Sequence, residues 1–315
     1  MAWVTWRQHR SQFVAGLGLL VGLAAAAVAT HLPIHSAYHR DAVAGCLPPS
    51  ARAGCDLIVR HFESEFGGWA AAARGLGALP ALVGLFVGAP LLARELEHGT
   101  HRFAWTQAVT RRRWLLSKTA FLALGTVATA AVVSALSMWW RSPFDTLEGR
   151  MTPRGFDIEG LVVPAYALFA LAIGILAGLL LRRTVAAMSV TLIVFAATRL
   201  AVLKFLRPSF LPPLHRTVVA TDSGRHVGDW VLSDTLIDAG GKAITAGRED
   251  LAILHAQQAG IDPQEYLVTL GWRRTISYQP DSRFWTFQLF EAGLFVLLAL
   301  LVVAVAVWFI RRTPA

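Results

Sequence analysis

The sequence is poor in charged residues, since Asp, Glu, Lys and Arg make up 16% of its 315 residues. An average soluble domain contains about 25%. Apolar residues make up 55% of the chain and come in runs of about 18 or more, long enough for a helix to cross ~30 Å of hydrocarbon. These two features exclude a soluble globular fold. We therefore predict an all-α polytopic membrane protein.

Six apolar stretches are long enough to cross a bilayer as helices. We predict transmembrane helices at about residues 13–30, 75–93, 114–138, 161–181, 185–206 and 288–310. Because the number of crossings is even, both termini lie on one side. Residues 1–315 thus form one six-span domain, with a long polar stretch, 208–287, before the last span.

Basic residues are unevenly distributed along the chain, whose net charge is +9. Twelve of the 29 Lys and Arg, but only two of the 20 Asp and Glu, lie in residues 1–12, 94–118, 182–184 and 311–315. Such an excess marks the cytosolic face of a membrane protein. We therefore predict cytosolic termini and a cytosolic segment 94–113. Since topology explains the charge, nucleic acid is not an expected partner.

The polar stretch 208–287 has few large apolar side chains, too few for a catalytic domain of its own. Residues 217–221 and 227–232 flank Gly224, which predicts a β-hairpin. A helix start is predicted by an acidic cap, a proline in the first turn and a following glutamate, in Asp262-Pro263-Gln264-Glu265. We predict a small extracellular α+β insert between the fifth and sixth spans.

Glycines four residues apart occur in three of the predicted spans. These pairs are Gly18 and Gly22, Gly84 and Gly88, and Gly174 and Gly178. Glycines at this spacing let two helices approach closely in lipid. The close contacts lie either within one subunit or between two subunits, and spacing alone does not separate the two.

The first outer loop, 31–74, contains the two cysteines of the chain, Cys46 and Cys55. Because disulfides persist outside the cell, we predict a disulfide, with two free thiols as the alternative. The same loop holds His31, His35 and His39, four residues apart. Three imidazoles on one helix could hold a metal, but Pro33 argues against a continuous helix. We therefore interpret them as loop histidines without a metal.

Motifs for chemistry within the chain are missing. Gly241-Lys242 lacks the upstream glycine of a phosphate-binding loop, and no Cys or His cluster has the spacing of a zinc site. No serine or cysteine nucleophile has an evident base, and no acid lies at the centre of a predicted span. We expect no catalytic, cofactor or metal site in this chain.

Two charged residues do lie inside predicted spans. Arg199 falls in the outer half of the fifth span, and we interpret it as an anchor that reaches the interface. Glu291 lies one turn into the last span, where it could pair with Arg199 or face a cavity.

The cytosolic segment 94–113 is the charge-dense connection between the second and third spans. Gly99 is expected to end the helix that carries Glu95 and Glu97, and Thr100 to cap a new one that begins with Arg102. A short helix parallel to the membrane would tilt both spans when it is pushed. The alternative is an ordinary solvated basic loop.

Here the sequence resembles the ABC-2-type permeases, the membrane subunits of ATP-driven exporters. The resemblance rests on Glu95-x-x-x-Gly99-Thr100, followed by Thr110-Arg111 and by Lys118 at the start of the next span. A second patch resembles the actinobacterial branch of that family. It consists of Tyr278-Gln279-Pro280, Arg283-Phe284-Trp285, Phe287-Gln288 and Glu291. Ala108-Val109-Thr110 departs from the family, which often has a proline there, and this leaves the shape of the coupling turn open.

The resemblance implies an export permease in the plasma membrane, in contact with lipid and paired with a second identical or different copy. It implies that ATP and magnesium bind a separate ATP-binding cassette subunit. It places coupling to that subunit on Glu95, Glu97, Gly99, Thr100, Arg102 and Arg111. It assigns the translocation path or outer gate to Arg199, Trp285 and Glu291. Apolar walls favour an amphipathic or lipid-like cargo, such as a drug, an antibiotic or a lipid.

Two other functions stay open at this point. One is a membrane enzyme whose site lies in the insert, with His215, His226, Asp229 or His255, although their spacing matches no known pattern. The other is a membrane anchor that binds partners without transport. Only the permease hypothesis requires an ATPase whose turnover depends on this chain.

Overall fold

The structure is a computed structural model that describes residues 2–41, 43–46, 54–97 and 111–312. Its helices are α1 (Ala2–Arg40), α2 (Cys55–Ala73), α3 (Leu79–Val83), α4 (Ala89–Glu97), α5 (Arg111–Glu148), α6 (Pro153–Phe156), α7 (Val162–Leu181), α8 (Thr184–Ala201), α9 (Ala246–Ala259), α10 (Pro263–Thr269) and α11 (Phe284–Arg312). Its strands are β1 (Leu214–Val219), β2 (Trp230–Ile237) and β3 (Arg273–Gln279). We call the end of the helix bundle that carries these strands the outer end, and the opposite end the inner end.

Within the described residues, six helical segments are long and apolar enough to cross a membrane. They are Gly16–Arg40, Cys55–Arg94, Thr119–Glu148, Val162–Leu181, Thr184–Ser209 and Asp281–Arg312. The predicted fold of six helices with a small α+β insert before the last one is confirmed.

Helix α1 continues through Pro33, where the sequence predicted a loop. Pro33 has no N–H to donate to the preceding turn, so its ring removes one helical hydrogen bond. Packing compensates for that loss, because Ile34 and Tyr38 are buried against Phe62 of α2 and Phe144 of α5. The prediction of loop histidines here is wrong, since the turns on either side of Pro33 are helical.

The second crossing is longer than predicted, because α2 precedes it in the stretch interpreted as a loop. The buried face of α2 includes Phe62, Phe66 and Ala70, while charged residues such as Glu63 and Glu65 lie on the exposed face. Because those charged residues interrupt the apolar ones in the sequence, the stretch does not stand out as an apolar run, and the helical period of its apolar residues is easily missed. A 3₁₀ turn, α3 and a π-helical turn at Gly84–Gly88 then lead into α4.

Helix α7 is the centre of the bundle. Of the residues in its apolar membrane-spanning stretch, 83% are buried, against 44% or less in the other candidate spans. It packs against α4, α5, α8 and α11. At its inner end Arg182 takes a left-handed conformation, with φ of 53°, and its N–H bonds to the Gly178 carbonyl oxygen. This cap makes a tight turn into α8.

Four glycines bring α7 against the second crossing, and we call this contact the glycine seam: Gly84, Gly88, Gly174 and Gly178. A Cβ atom at Gly174 would lie 2.5 Å from the Gly84 carbonyl oxygen and 2.6 Å from the Ala89 nitrogen. One at Gly178 would lie 2.6 Å from the Ala89 carbonyl oxygen. Since these atoms are backbone, no side chain could move aside. Two of the three predicted glycine pairs therefore pack within this subunit.

The insert forms a three-stranded antiparallel sheet in the order β1-β3-β2. The predicted hairpin is wrong, because β3 lies between the two strands that were expected to pair. Strand β3 begins with Arg273 and Arg274, which mask the alternation that leads to the buried Ile276. The predicted helix start is confirmed, since the Asp262 carboxylate accepts hydrogen bonds from the Gln264 and Glu265 N–H groups.

Candidate functional site at the two ends of the bundle

Five polar side chains meet at the outer end of the bundle. Asp157 follows α6, Tyr166 lies in the first turns of α7, and Arg199 lies in α8. Arg207 lies on the 3₁₀ turn that continues α8, and Glu291 lies on α11. We call these five residues the outer ion network. It joins the segment before α7 to three membrane-spanning helices.

Arg207 is the centre of the network, and its side chain is 1% exposed. Its Nε lies 2.6 Å from Oε2 of Glu291 and its Nη2 lies 2.8 Å from Oε1, which is a two-pronged charged pair. The same Nη2 lies 2.6 Å from Oδ1 of Asp157. The Tyr166 hydroxyl donates to Glu291 and accepts from Arg207. All three partners therefore converge on a single guanidinium.

Arg199 enters the network through Asp157. Its Nη2 lies 3.1 Å from Oδ2 of Asp157, and its Nη1 donates to the Gly77 carbonyl oxygen at 2.7 Å. The guanidinium carbon also lies 4.6 Å from the centre of the Tyr166 ring, within the range of a cation–π contact. Protein groups hold Arg199, which corrects the interpretation of this residue as an interfacial anchor.

Glu291 pairs with Arg207. From its position in the sequence, pairing with Arg199 or exposure to a cavity was expected. Residues 199 and 207 would lie about 80° apart around a regular α-helix. The π-helical turn Val202–Leu206 lies between them and turns less per residue, which brings the two arginines towards one face. A helical period of 3.6 therefore does not identify this pair.

The network is electrically balanced, since two arginines face two carboxylates. Glu291 is fully buried, and Asp157 and Arg199 are 18% and 17% exposed. Such pairs add little net stability, because desolvation offsets attraction, but removing one partner leaves an uncompensated charge. The network therefore links these helices through charges that depend on one another. Asp157, Tyr166 and Arg207 were not predicted as site residues from the sequence.

Gln288 and Trp285, which belong to the patch that resembles the actinobacterial branch, have different environments. Gln288 is buried; its Oε1 accepts from the Val162 N–H at 2.9 Å, and its Nε2 donates to the Phe156 carbonyl oxygen at 3.1 Å. Gln288 thus satisfies the first N–H of α7. Trp285 is 48% exposed and contacts Phe284, so it lies on the surface in the first turn of α11.

A second charged cluster lies at the outer end of α5, and we call it the Arg141 cluster: Arg141, Asp145, Glu148, Arg150 and Glu159. Arg141 is 1% exposed, and its Nε lies 2.7 Å from Oε1 of the fully buried Glu159. Burial and the nearby Asp145 carboxylate raise the pKa of Glu159 to about 8, against the opposing effect of Arg141. Three carboxylates share two arginines here, so a proton on Glu159 balances the charge.

At the inner end, the last residue of α4 contacts the first residue of α8. Oε2 of Glu97 accepts from the Thr184 hydroxyl at 2.9 Å and from the Thr184 N–H at 3.3 Å. The carboxylate therefore caps α8 at its N-terminus, where negative charge is favoured. This contact joins the end of the second crossing to the turn between α7 and α8.

The remaining predicted coupling residues lie outside the part of the chain that the structure describes in full. Gly99, Thr100 and Arg102 fall in the undescribed stretch 98–110. Glu95 lies in α4 and Arg111 begins α5, and only their backbone is described. Their predicted role in coupling stays a prediction.

The residues named for a possible enzyme in the insert lie on separate elements. Asp229 pairs with Arg216 at 3.1 Å, and the three histidines are exposed: His215 in β1, His226 in the β1–β2 connection, and His255 in α9. Arg216 also bonds to the Tyr278 hydroxyl, so Asp229 belongs to a structural contact of the sheet.

The predicted disulfide is present. Cys46 and Cys55, the first residue of α2, are joined by it.

Six apolar crossings, an interlocked central helix and balanced buried charges define a polytopic helical membrane protein. The chain belongs to the ABC-2 membrane transporter related family, whose model matches residues 17–207, more than half of the chain. It is thus a membrane component of a transporter, of a kind that usually works with an ATP-binding subunit. The match includes Glu97, Thr184, the glycine seam and Arg207.

Comparison with curated proteins and with solved structures returns no match. The assignment to the actinobacterial branch of the permeases stays a prediction, because the patch 278–291 on which it rests lies beyond the matched residues.

Proposed function

We propose that this chain is the permease subunit of an ATP-driven exporter in the plasma membrane. On this proposal it moves an amphipathic or lipid-like small molecule outward, which suits a bundle with apolar walls. ATP and magnesium would bind a separate ATP-binding cassette subunit. Beyond membership of the family, the observation that carries the proposal is the contact between Glu97 and Thr184.

That contact gives the segment 94–113 two routes into the bundle. A push on the segment would reach α4 through the chain itself, and it would reach the start of α8 through Glu97. Helix α4 is locked to α7 through the glycine seam, and α7 carries Tyr166 into the outer ion network. Packed backbone and charged hydrogen bonds therefore connect the two ends of the bundle without a gap.

We place the outer gate at the outer ion network. Arg199 and Glu291 would act there through Arg207 and Asp157, since exchange of ion partners would let the helices separate and rejoin. Trp285, half-exposed in the first turn of α11, would frame this gate from the surface.

A transport path would require a second permease copy, identical or different. Helix α1 supports this proposal, because only 11% of the residues in its apolar membrane-spanning stretch are buried. Among the described residues, and apart from the backbone of α1 itself, no atom lies within 4 Å of a Cβ position at Gly18 or Gly22. A second copy or membrane lipid would cover this face.

The coupling assignment is tested with variants in everted vesicles that contain the chain and its ATP-binding subunit. Glu95→Ala and Gly99→Pro should abolish ATP-dependent transport while insertion into the membrane is unchanged. Glu97→Ala should weaken transport, because α8 loses its cap. The matched control is Glu63→Ala, which removes an exposed acid from α2 and should leave transport intact.

Two outcomes would contradict the proposal. Normal transport by Glu95→Ala and Gly99→Pro would show that the segment does not couple the subunits. Purification of the chain without any ATP-binding subunit, with full activity retained, would show that it works without an ATPase.

A further inference from the structure

Two histidines face each other on the last turns of α1. His35 and His39 are four residues apart, and the continuous helix places them on one face. Both side chains are exposed, and their Nε2 atoms lie 3.2 Å apart. Their ring centres lie 4.4 Å apart. Pro33, which had argued against a helical site, does not interrupt this arrangement.

The separation of the two nitrogens suits a shared metal ion. Imidazole nitrogens bind zinc at about 2.0–2.1 Å, and with the nitrogens 3.2 Å apart this corresponds to an angle of about 100° at the metal. That angle lies between the ideal values for square-planar and tetrahedral sites, about 90° and 109°. Both rings can reach the same ion while the helix that carries them keeps its backbone conformation.

A third imidazole lies one turn earlier and is held in place. His31 is buried, its Nδ1 lies 3.3 Å from the Trp140 carbonyl oxygen, and its ring stacks on Trp139 at 4.0 Å between centres. The carbonyl accepts the Nδ1–H, so the Nε2 of this ring carries no proton when the histidine is neutral. Its ring centre lies 5.4 Å from that of His35. We do not count it as a ligand.

We propose that His35 and His39 bind a late first-row divalent ion, of the class of Cu²⁺, Ni²⁺ and Zn²⁺, at the outer end of α1. Water would complete the coordination, because three or more His, Cys, Asp or Glu side chains do not converge anywhere in the described residues. The ion would cross-link the two helical turns that follow Pro33. This site is independent of the proposed transport function.

The experiment uses Cu²⁺, the ion that such nitrogen sites bind most tightly, and full-length protein without a polyhistidine tag. Electron paramagnetic resonance of the purified protein should show one Cu²⁺ coordinated by two imidazole nitrogens. His35→Ala and His39→Ala should each lose this signal at copper concentrations that saturate the unaltered protein. Both positions are exposed, so neither change should disturb the fold.

The matched control is His61→Ala, which removes an exposed histidine from the neighbouring helix α2, where it lies 3.9 Å from Glu65. This variant should keep the two-nitrogen signal. The proposal is overturned if the unaltered protein shows no such signal, or if the signal survives in His35→Ala and His39→Ala. In either case the two histidines form only a hydrogen-bonded pair.

Discussion

Helix α7 is held by two different kinds of contact along its length. At the outer end, Tyr166 belongs to a network of buried charges, whereas at the inner half Gly174 and Gly178 press against the backbone of α4 and the turn before it. A charged network can exchange partners and form again, because each carboxylate offers several acceptor sites and each guanidinium several donors. A backbone seam has no alternative partner. We therefore expect the inner half to move as one body and the outer half to rearrange.

Arg207→Met is the substitution expected to destabilise the outer half most. This change leaves Glu291 buried without a guanidinium, and loss of one partner from a buried ion pair costs about 3–5 kcal/mol. We expect a loss of that order in the free energy of unfolding, measured by denaturant titration of the purified protein in detergent.

A double variant shows whether charge balance is the cause. Arg207→Met combined with Glu291→Gln removes one charge of each sign and leaves the pair of Arg199 with Asp157. We expect the double variant to be more stable than Arg207→Met alone, since no uncompensated charge remains. A double variant that loses the sum of the two single effects would indicate lost packing instead.

The glycine seam is tested by adding one carbon to each of two similar glycines. Gly174→Ala places a Cβ 2.5 Å from backbone, so we expect a loss of about 1–3 kcal/mol in unfolding free energy. A Cβ atom at Gly22 meets nothing within 4 Å, so Gly22→Ala should not destabilise the monomer, because alanine favours a helix. Equal losses at both positions would refute the distinction. Loss of a dimer in Gly22→Ala would place the second copy on this face.

The same contrast explains what could be predicted from the sequence. The number of crossings follows from the length of apolar runs, which depends only on hydrocarbon thickness. The glycine pairs were visible as spacing, but spacing does not name the partner helix. Only the structure shows that Gly84 and Gly174 meet each other while Gly18 meets nothing.

The outer half was harder to predict, because its contacts depend on irregular geometry. Arg207 reaches Glu291 after a π-helical turn that no helical period anticipates. Helix α2 was missed because charges on its exposed face hide a buried apolar one. Strand β3 was missed because it begins with two arginines. In each case long-range packing, not local preference, decides the structure.

A pH titration tests whether only the outer half responds to pH. Glu159 has a pKa raised from 4.5 to about 8 by burial and by Asp145, so the folded protein holds a proton that the unfolded chain releases above about pH 4.5. Stability from this group should therefore fall as pH rises from about 5 to 8, by at most about 1.4 kcal/mol per pH unit. Glu159→Gln keeps the neutral form and should flatten the dependence of unfolding free energy on pH, whereas Gly174→Ala should shift the whole curve without changing its slope. An unchanged slope in Glu159→Gln would show that the Arg141 cluster does not carry this proton.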